Sequence, residues 1–332
     1  MKKYLFLIIA LCYAVVANAQ GSDQYSAILQ HNETTTFYTG STAFQQAYEA
    51  AVDGDVIVLS EGVFTPVTRI EKSLKIYGAG FERNAETNTA ITAISGELKV
   101  GNANIILDGF HMEGILIQGD ITFECQLTNS SVVKCYTTEI IRFCKNIENV
   151  VVKQCRIWDS VFGSNMVAKN LLVANCYMRG NVREFSRESF ITVDHCFLNR
   201  YANEDNAQIL FTNSIIGGGY ASSSSSIGQY SMVRSCIFSE NYKGFPGNTL
   251  IESYYRLNSI APLFADVESE DYSETRTFEL KDPDTYVGTD GTPIGPSGGF
   301  GWDKVPTKPS IKNLTTTVAE SNLNVTYEAI VK

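Results

Sequence analysis

Between residues 131 and 238 the chain writes one short phrase six times: SVVKCYT, VVKQCRI, LVANCYM, TVDHCFL, LFTNSII and MVRSCIF. Aligned on the small residue, the copies centre on Cys135, Cys155, Cys176, Cys196, Ser214 and Cys236, at steps of 20, 21, 20, 18 and 22 residues. Three positions earlier stand Val132, Val152, Val173, Val193, Phe211 and Val233. Two positions later stand Thr137, Ile157, Met178, Leu198, Ile216 and Phe238. A fixed period with fixed apolar positions marks a stacked repeat, in which each unit buries its apolar side only against its neighbours.

Up to the small residue the phrase alternates with a period of two, as in a strand with one buried face. The alternation skips at the two residues before it, which are mostly polar, so a tight corner joins two short strands there. Asn175 and Asn213 suit such a corner, because asparagine tolerates left-handed backbone and bonds locally. Polar or glycine residues follow, then another short run such as EIIRF at 139–143 or NVREF at 181–185. Each repeat therefore holds three short strands and three turns. Copies stacked in parallel at ~4.8 Å form a solenoid of β-coils. No helical pattern alternates with the strands, which argues against a βαβ sheet, and the LxxLxLxxN pattern of leucine-rich repeats is absent. The cysteines in register read either as a disulfide or metal ladder or as a small buried residue at a tight corner. Ser214 fills the same slot, CxxC clustering is missing, and free cysteine packs as a small apolar group, so the second reading is favoured.

Residues 1–19 read as a secretory signal: Lys2 and Lys3, an apolar core from Leu5 to Val16, and Ala17-Asn18-Ala19 as the cleavage site. The expected location is periplasmic or extracellular, without a membrane span. The formal charge is −10, and removal of the two signal lysines makes it more negative. Such a surface argues against nucleic acid as a partner, and disfavours a polyanionic glycan unless a local basic patch offsets the field. A monomer is expected.

Ahead of the repeats, STAFQQAYEAAVD at 41–53 predicts an amphipathic helix capped by Ser41 or Thr42, which covers the open end of the solenoid. The run AFQQAYEAAVDGDVIVLSEGVFTP, followed by IEKSLKIYGAGFE, resembles the N-terminal start of pectate-lyase-like, right-handed parallel β-helix proteins. The stretches APLFADVESEDYSETRTFEL at 261–280 and DGTPIGPSGG at 290–299 resemble the exit segment of secreted members, many from Bacteroidetes-type bacteria. The resemblance covers about residues 40–305 and implies an all-β, single-stranded right-handed parallel β-helix. The expected organisation is an N-terminal segment at 20–40, the β-helix with its helical cap at 41–305, and a β tail at 306–332 with two strands turning near Glu320–Asn322.

The same resemblance implies lyase or hydrolase chemistry in a groove beside one sheet, using carboxylates, or Ca²⁺ with a Lys or Arg base. The hydrolase motifs NTD, DD, GHG and RIK are absent, as is the RxPxxR segment of pectate lyases. ITVDHCF at 191–197 resembles the lyases' WIDHC, yet Asp194 and His195 fall on ordinary corner positions of the repeat. The strand after the corner is a better groove. It carries Arg142, Arg183, Glu184 and Arg187, and if the coils are in register Arg142 and Arg183 lie about 10 Å apart. Arginines that bind a uronate carboxylate, with Glu184 taking a proton, would serve β-elimination, and the set resembles that of alginate- and chondroitin-type lyases. A salt-bridged solvent face is the favoured reading of the same stretch, because Arg183, Glu184, Arg187 and Glu188 include opposite-sign neighbours that can pair with each other. Trp158, Tyr177 and Tyr201 follow the corners and are candidate sugar-stacking rings. The loop carrying Asp282, Asp284 and Asp290 suits calcium, while Pro283 and Gly288 suit a plain turn. With only His31, His111 and His195, a histidine metal site is not expected. The functional expectation is a secreted protein that binds or helps process extracellular polysaccharide, with a divergent polysaccharide lyase or glycoside hydrolase as the alternative.

Overall fold

The computed structural model describes residues 25–83, 90–201, 207–218, 230–239, 250–257, 260–265, 276–307, 310–319 and 322–330. The signal segment therefore lies outside the described residues. The chain winds as a parallel β-solenoid of about eight turns. Its coils build three sheets, of fourteen, ten and five strands. One coil runs through Ile147–Lys153 in the first sheet, Arg156–Ile157 in the second and Val161–Phe162 in the third, and then returns to the first at Ala168–Ala174.

The repeat register is that of the sequence. Met112, Val132, Val152, Val173, Val193, Phe211 and Val233 pair in order along the first sheet, and each is at most 1% exposed. The corner residues Lys134, Gln154, Asn175, His195, Asn213 and Ser235 all adopt φ between 48° and 54°. Left-handed backbone of this kind costs roughly 1 kcal/mol for a residue with a β-carbon, so something must hold Lys134, Gln154 and His195 there.

The cysteine column is more specific than a small apolar slot. In all six copies the side chain donates to the carbonyl two residues before it, at 2.7 Å for Ser214 and 3.2–3.4 Å for the sulfurs. Cys155, Cys176 and Ser214 also accept the backbone N–H of the small residue one coil earlier. Serine can do both, and alanine neither. All seven described cysteines are free thiols, and burial pushes the Cys236 thiol up to about 12. We expect Cys176→Ala to destabilise by about 1 kcal/mol, and Cys176→Ser by less, in urea melts.

At the N-terminal end the cap helix α1 (Ala43–Ala50) buries Ala43, Phe44 and Ala47. It is shorter than the sequence suggests. Thr42 sits at the N-cap, but its hydroxyl accepts from Gln46 Nε2 rather than from a backbone N–H. The preceding segment, for which the sequence reading gave no element, is an antiparallel hairpin of Ser26–His31 and Thr34–Thr39 that pairs with Val56–Leu59 and extends the first sheet. Its outer strand, TTTFYT, offers mostly polar side chains to a sheet edge. The C-terminal tail is an antiparallel pair, Ser310–Ala319 and Asn322–Ile330; residues 320–321, where the turn was expected, lie outside the described residues. No helix among the described residues is long and apolar enough to cross a membrane.

Residues 276–307 form a strap that runs back over the outside of the solenoid. It contributes Phe278, Leu280 and Ile294 to a second core with Ile260, Leu263 and Phe264 over the second sheet's outer residues Tyr177, Phe197, Ile215 and Ile237. Buried Arg276 lies between the rings of Phe264 and Phe278, at 5.0 and 5.2 Å. The strap is fastened by the corner side chains, one coil after another. Thr289 N–H donates to Asn213 Oδ1 at 2.7 Å, and His195 Nε2 meets Thr292 Oγ1 at 3.0 Å. Asn175 Nδ2 donates to the carbonyls of Pro296 and Gly298, and Gln154 Nε2 to that of Gly301. Lys134 Nζ reaches Asp303 and the Val305 carbonyl, and Thr307 donates twice to Glu113. These bonds hold the left-handed corners.

Candidate ligand-binding surface

The third sheet consists of Leu98–Val100, Ile121–Phe123, Ile141–Phe143, Val161–Phe162 and Val182–Arg183, paired in parallel. Alternation buries Leu98, Val100, Ile121, Phe123, Ile141, Phe143, Val161 and Val182 in the solenoid, so the residue beside each points outward. The outward column reads Lys99, Thr122, Arg142, Phe162, Arg183, one per coil. The two arginines predicted from the repeat spacing therefore share one column, two coils apart, with Phe162 between them. The Arg142 guanidinium carbon lies 4.6 Å from the Phe162 ring centre, and that of Arg183 lies 5.1 Å from it. Each contact combines cation–π attraction with stacking of a flat, weakly hydrated cation.

Arg183 also donates to Ser160 Oγ at 3.3 Å and stands 3.5 Å from both Asp159 and Glu184 carboxylates. These are loose approaches at a half-exposed site, where an ion pair contributes about 0–1 kcal/mol. Among the described residues Arg142 makes no ion pair, only the ring contact. Glu184 is held in left-handed backbone, φ 58°, and its carboxylate approaches Arg183.

Arg187 is separate from this group: its guanidinium lies 4.3 Å from the Tyr230 ring. Trp158 is 39% exposed and has Arg179 at 4.5 Å and Arg156 at 5.9 Å, so it extends the cation–aromatic surface around the edge of the third sheet. Tyr177 does not serve as a stacking ring. It is 2% exposed and is sealed by the strap, with Phe197 and Phe278 at 5.4 and 5.6 Å. Tyr201 closes the strand Phe197–Tyr201, and its side chain lies outside the described part. On the opposite edge of the third sheet a shallow groove of about 490 Å³ is lined by Ile106, Gln126, Cys144, Lys145 and Met166.

The Asp194–His195 pair belongs to the strap. His195 is 1% exposed, and its Nδ1 lies 3.0 Å from Asp194 Oδ2. Its Nε2 faces the Thr292 hydroxyl, which is already engaged by Asp290 and by the Gly299 N–H. No nucleophile is left for the imidazole to activate. Asp290 is thus committed to Thr292, and Asp282 and Asp284 stay exposed. Among the described residues no group of three or more His, Cys, Asp or Glu is brought together to hold a metal ion.

Burial raises the Asp194 and Glu113 carboxyls, but hydrogen bonds outweigh it and both end below their ordinary values of 3.8 and 4.5. The bonds come from His195, Thr212 and Asn213 at Asp194, and from His111 and Thr307 at Glu113. A depressed carboxyl contributes stability above its unfolded value and loses it as pH falls through the folded one. We therefore expect the strap fastening to be intact above pH 4.5 and to loosen below 3.8. Acid titration of Trp302 emission checks this, because Trp302 packs against Phe278 in the second core.

Compared with models of known protein families, with curated proteins and with solved structures, the chain gives no match. Fold and surface together define a parallel β-helix protein with a cation–aromatic ladder on its third sheet.

Lys99, Thr122 and Phe162 were not legible as site residues before the register was known. The available signal was the middle residue of each third strand, in ELKV, ITFE, IIRF, SVFG and NVRE.

Proposed function

We propose that this chain is a secreted β-helix protein, related to the pectate-lyase-like superfamily, that binds an acidic extracellular polysaccharide on its third sheet without cleaving it. The observation that carries this reading is the pair of guanidiniums stacked on one outward ring, Arg142 and Arg183 on Phe162. Arg142, held only by the ring among the described residues, leaves its N–H groups available for two-pronged contact with a carboxylate or sulfate, and Arg183 would exchange its loose 3.5 Å approaches to Asp159 and Glu184 for the same contact. The basic patch that an acidic chain needs for such a ligand is the column itself, Lys99, Arg142 and Arg183 on one face of a protein of charge −10. A local positive field of that kind attracts an anionic chain. Binding without cleavage fits the carboxylates at hand, since Asp159 and Glu184 both turn toward Arg183, and His195 is occupied by the strap.

The test passes the intact protein over immobilised polyuronate and over a neutral glucan. Retention on the polyuronate alone, released by salt as the screening length shortens, is the expected result, with no rise in the ultraviolet absorbance of unsaturated sugar ends. No retention on any acidic glycan sinks the proposal. An absorbance rise that disappears in Arg183→Ala replaces it with the lyase reading built on Arg142, Arg183, Glu184 and Arg187.

A further inference from the structure

The outward column of the third sheet alternates in chemistry as well as in position. Lys99 pairs with Thr122, Thr122 with Arg142, Arg142 with Phe162 and Phe162 with Arg183. Cations stand on every second coil, and an uncharged residue stands on each coil between. With coils ~4.8 Å apart, neighbouring cations are separated by roughly 10 Å along the solenoid axis.

The uncharged steps are built features. The Thr122 hydroxyl donates to Glu97 Oε1 at 2.8 Å, and Glu97 Oε2 stands 3.5 Å from Lys99 Nζ. Asp159 and Glu184 stand at the same 3.5 Å from Arg183, so both ends of the ladder are partly neutralised, and Arg142, which makes no ion pair among the described residues, is its most available cation. Between Arg142 and Arg183, Phe162 presents a half-exposed ring whose neighbours along the column are both guanidiniums.

We infer that this surface takes an extended polysaccharide whose acidic groups fall on every second sugar, lying along the solenoid axis with an uncharged sugar over Phe162. The inference rests on the acidic-glycan reading above. An extended β-linked pyranose advances by close to one strand spacing, so alternate sugars fall on alternate coils. Carboxylates or sulfates then meet Arg142 and Arg183, and the C–H face of the neutral sugar meets the ring. A homopolymer of uronic acid would instead set a carboxylate over Phe162. The ring is engaged by the two guanidiniums, and that coil supplies no donor of its own, so a carboxylate placed there is desolvated without a direct partner.

The experiment is isothermal titration of the intact protein with size-matched, β-linked oligosaccharides of three kinds: alternating glucuronate and N-acetylglucosamine, all β-1,4-mannuronate, and neutral β-1,4-glucan. The alternating oligomer is expected to bind at least about tenfold more tightly than the all-uronate one, although it carries half the charge. Phe162→Arg fills the gap and should reverse that preference, whereas Phe162→Leu should keep the preference at reduced affinity. If Phe162→Arg fails to fold by thermal melt, Arg142→Ala carries the test, with a loss of about tenfold on the alternating oligomer and little change on the neutral one. Equal or tighter binding of the all-uronate oligomer by the unaltered protein overturns the spacing inference and leaves acidic-glycan binding standing. An unchanged Arg142→Ala variant also overturns it. Absence of binding to both acidic oligomers overturns the underlying reading as well.

Discussion

The Val173→Asp variant should lose more than about 4 kcal/mol of stability, enough to abolish cooperative folding in a protein of ordinary stability. Val173 is fully buried and stands in register between Val152 and Val193 on adjacent coils. The core cluster to which Val173 belongs is built of aliphatic, aromatic and thiol side chains, so a carboxylate there has no counter-charge and no path to water. Such a group must either stay charged in a low-dielectric core or fold only when protonated, and both are costly. Leu172, one residue earlier, faces outward on the same strand, and Leu172→Asp should cost about 1 kcal/mol or less. A one-residue slip exchanges the two faces. Melts in which the two variants behave alike would therefore overturn the assignment of inside and outside.

The second large effect is expected at Asn175. Its side chain is fully buried, its backbone is left-handed at φ 48°, and its Nδ2 donates to the Pro296 and Gly298 carbonyls at 2.8 and 2.6 Å. Asn175→Ala would strand both carbonyls beneath the strap, at about 1–3 kcal/mol each, and would place a residue with a β-carbon, but no local hydrogen bond, in left-handed backbone. A loss of roughly 3–5 kcal/mol follows from those two costs. The loss should appear first as release of the strap. Trp302 emission should shift to the red and residues 276–307 should become protease-sensitive, while the β-coil circular dichroism persists. Asn175→Gly separates the two costs, because it relieves the backbone and leaves the carbonyls bare. Simultaneous loss of tryptophan and backbone signals in Asn175→Ala would mean that the strap is not a separable layer.

The coil architecture was readable because the repeat imposes it twice, once through the inward column and once through the corner. Val132, Val152 and Val173 announce an inside, and the skipped alternation before each small residue announces a bend. The strap was not readable from the corners, because Lys134, Gln154, Asn175, His195 and Asn213 looked like turn residues alone. Their partners are remote in sequence: Asn175 and Gly298 are 123 positions apart. A covered outer face had nevertheless left a trace. The residue after the small one points outward, yet it is Tyr177, Phe197, Ile215 and Ile237 in four successive copies. Reading Tyr177 as a sugar-stacking ring took its outward direction correctly and missed the layer above it. The N-terminal hairpin went unread because YSAILQH and TTTFYT pair with each other and with the first coil outside the repeat register.

The candidate surface was legible in Arg142, Arg183 and Trp158 but not in Lys99, Thr122 or Phe162. Spacing alone put Arg142 and Arg183 two coils apart. Phe162, which joins them, carries no charge and looked like any strand residue. Arg187 was grouped with them by sequence proximity, but it lies beyond Glu184, where the left-handed backbone ends the strand, and it faces Tyr230 instead. Proximity along a solenoid chain is a poor guide, since the coil step brings residue i beside i+20 more closely than beside i+4.

The most direct test of the central claim is the affinity of an acidic polysaccharide for the intact protein and for an Arg142→Ala/Arg183→Ala double variant with unchanged melting behaviour. The account predicts a loss of about a hundredfold, from two charge-assisted contacts each contributing about tenfold, together with a weaker salt dependence in the variant. Unchanged affinity in the double variant would contradict it and move the binding surface off the third sheet.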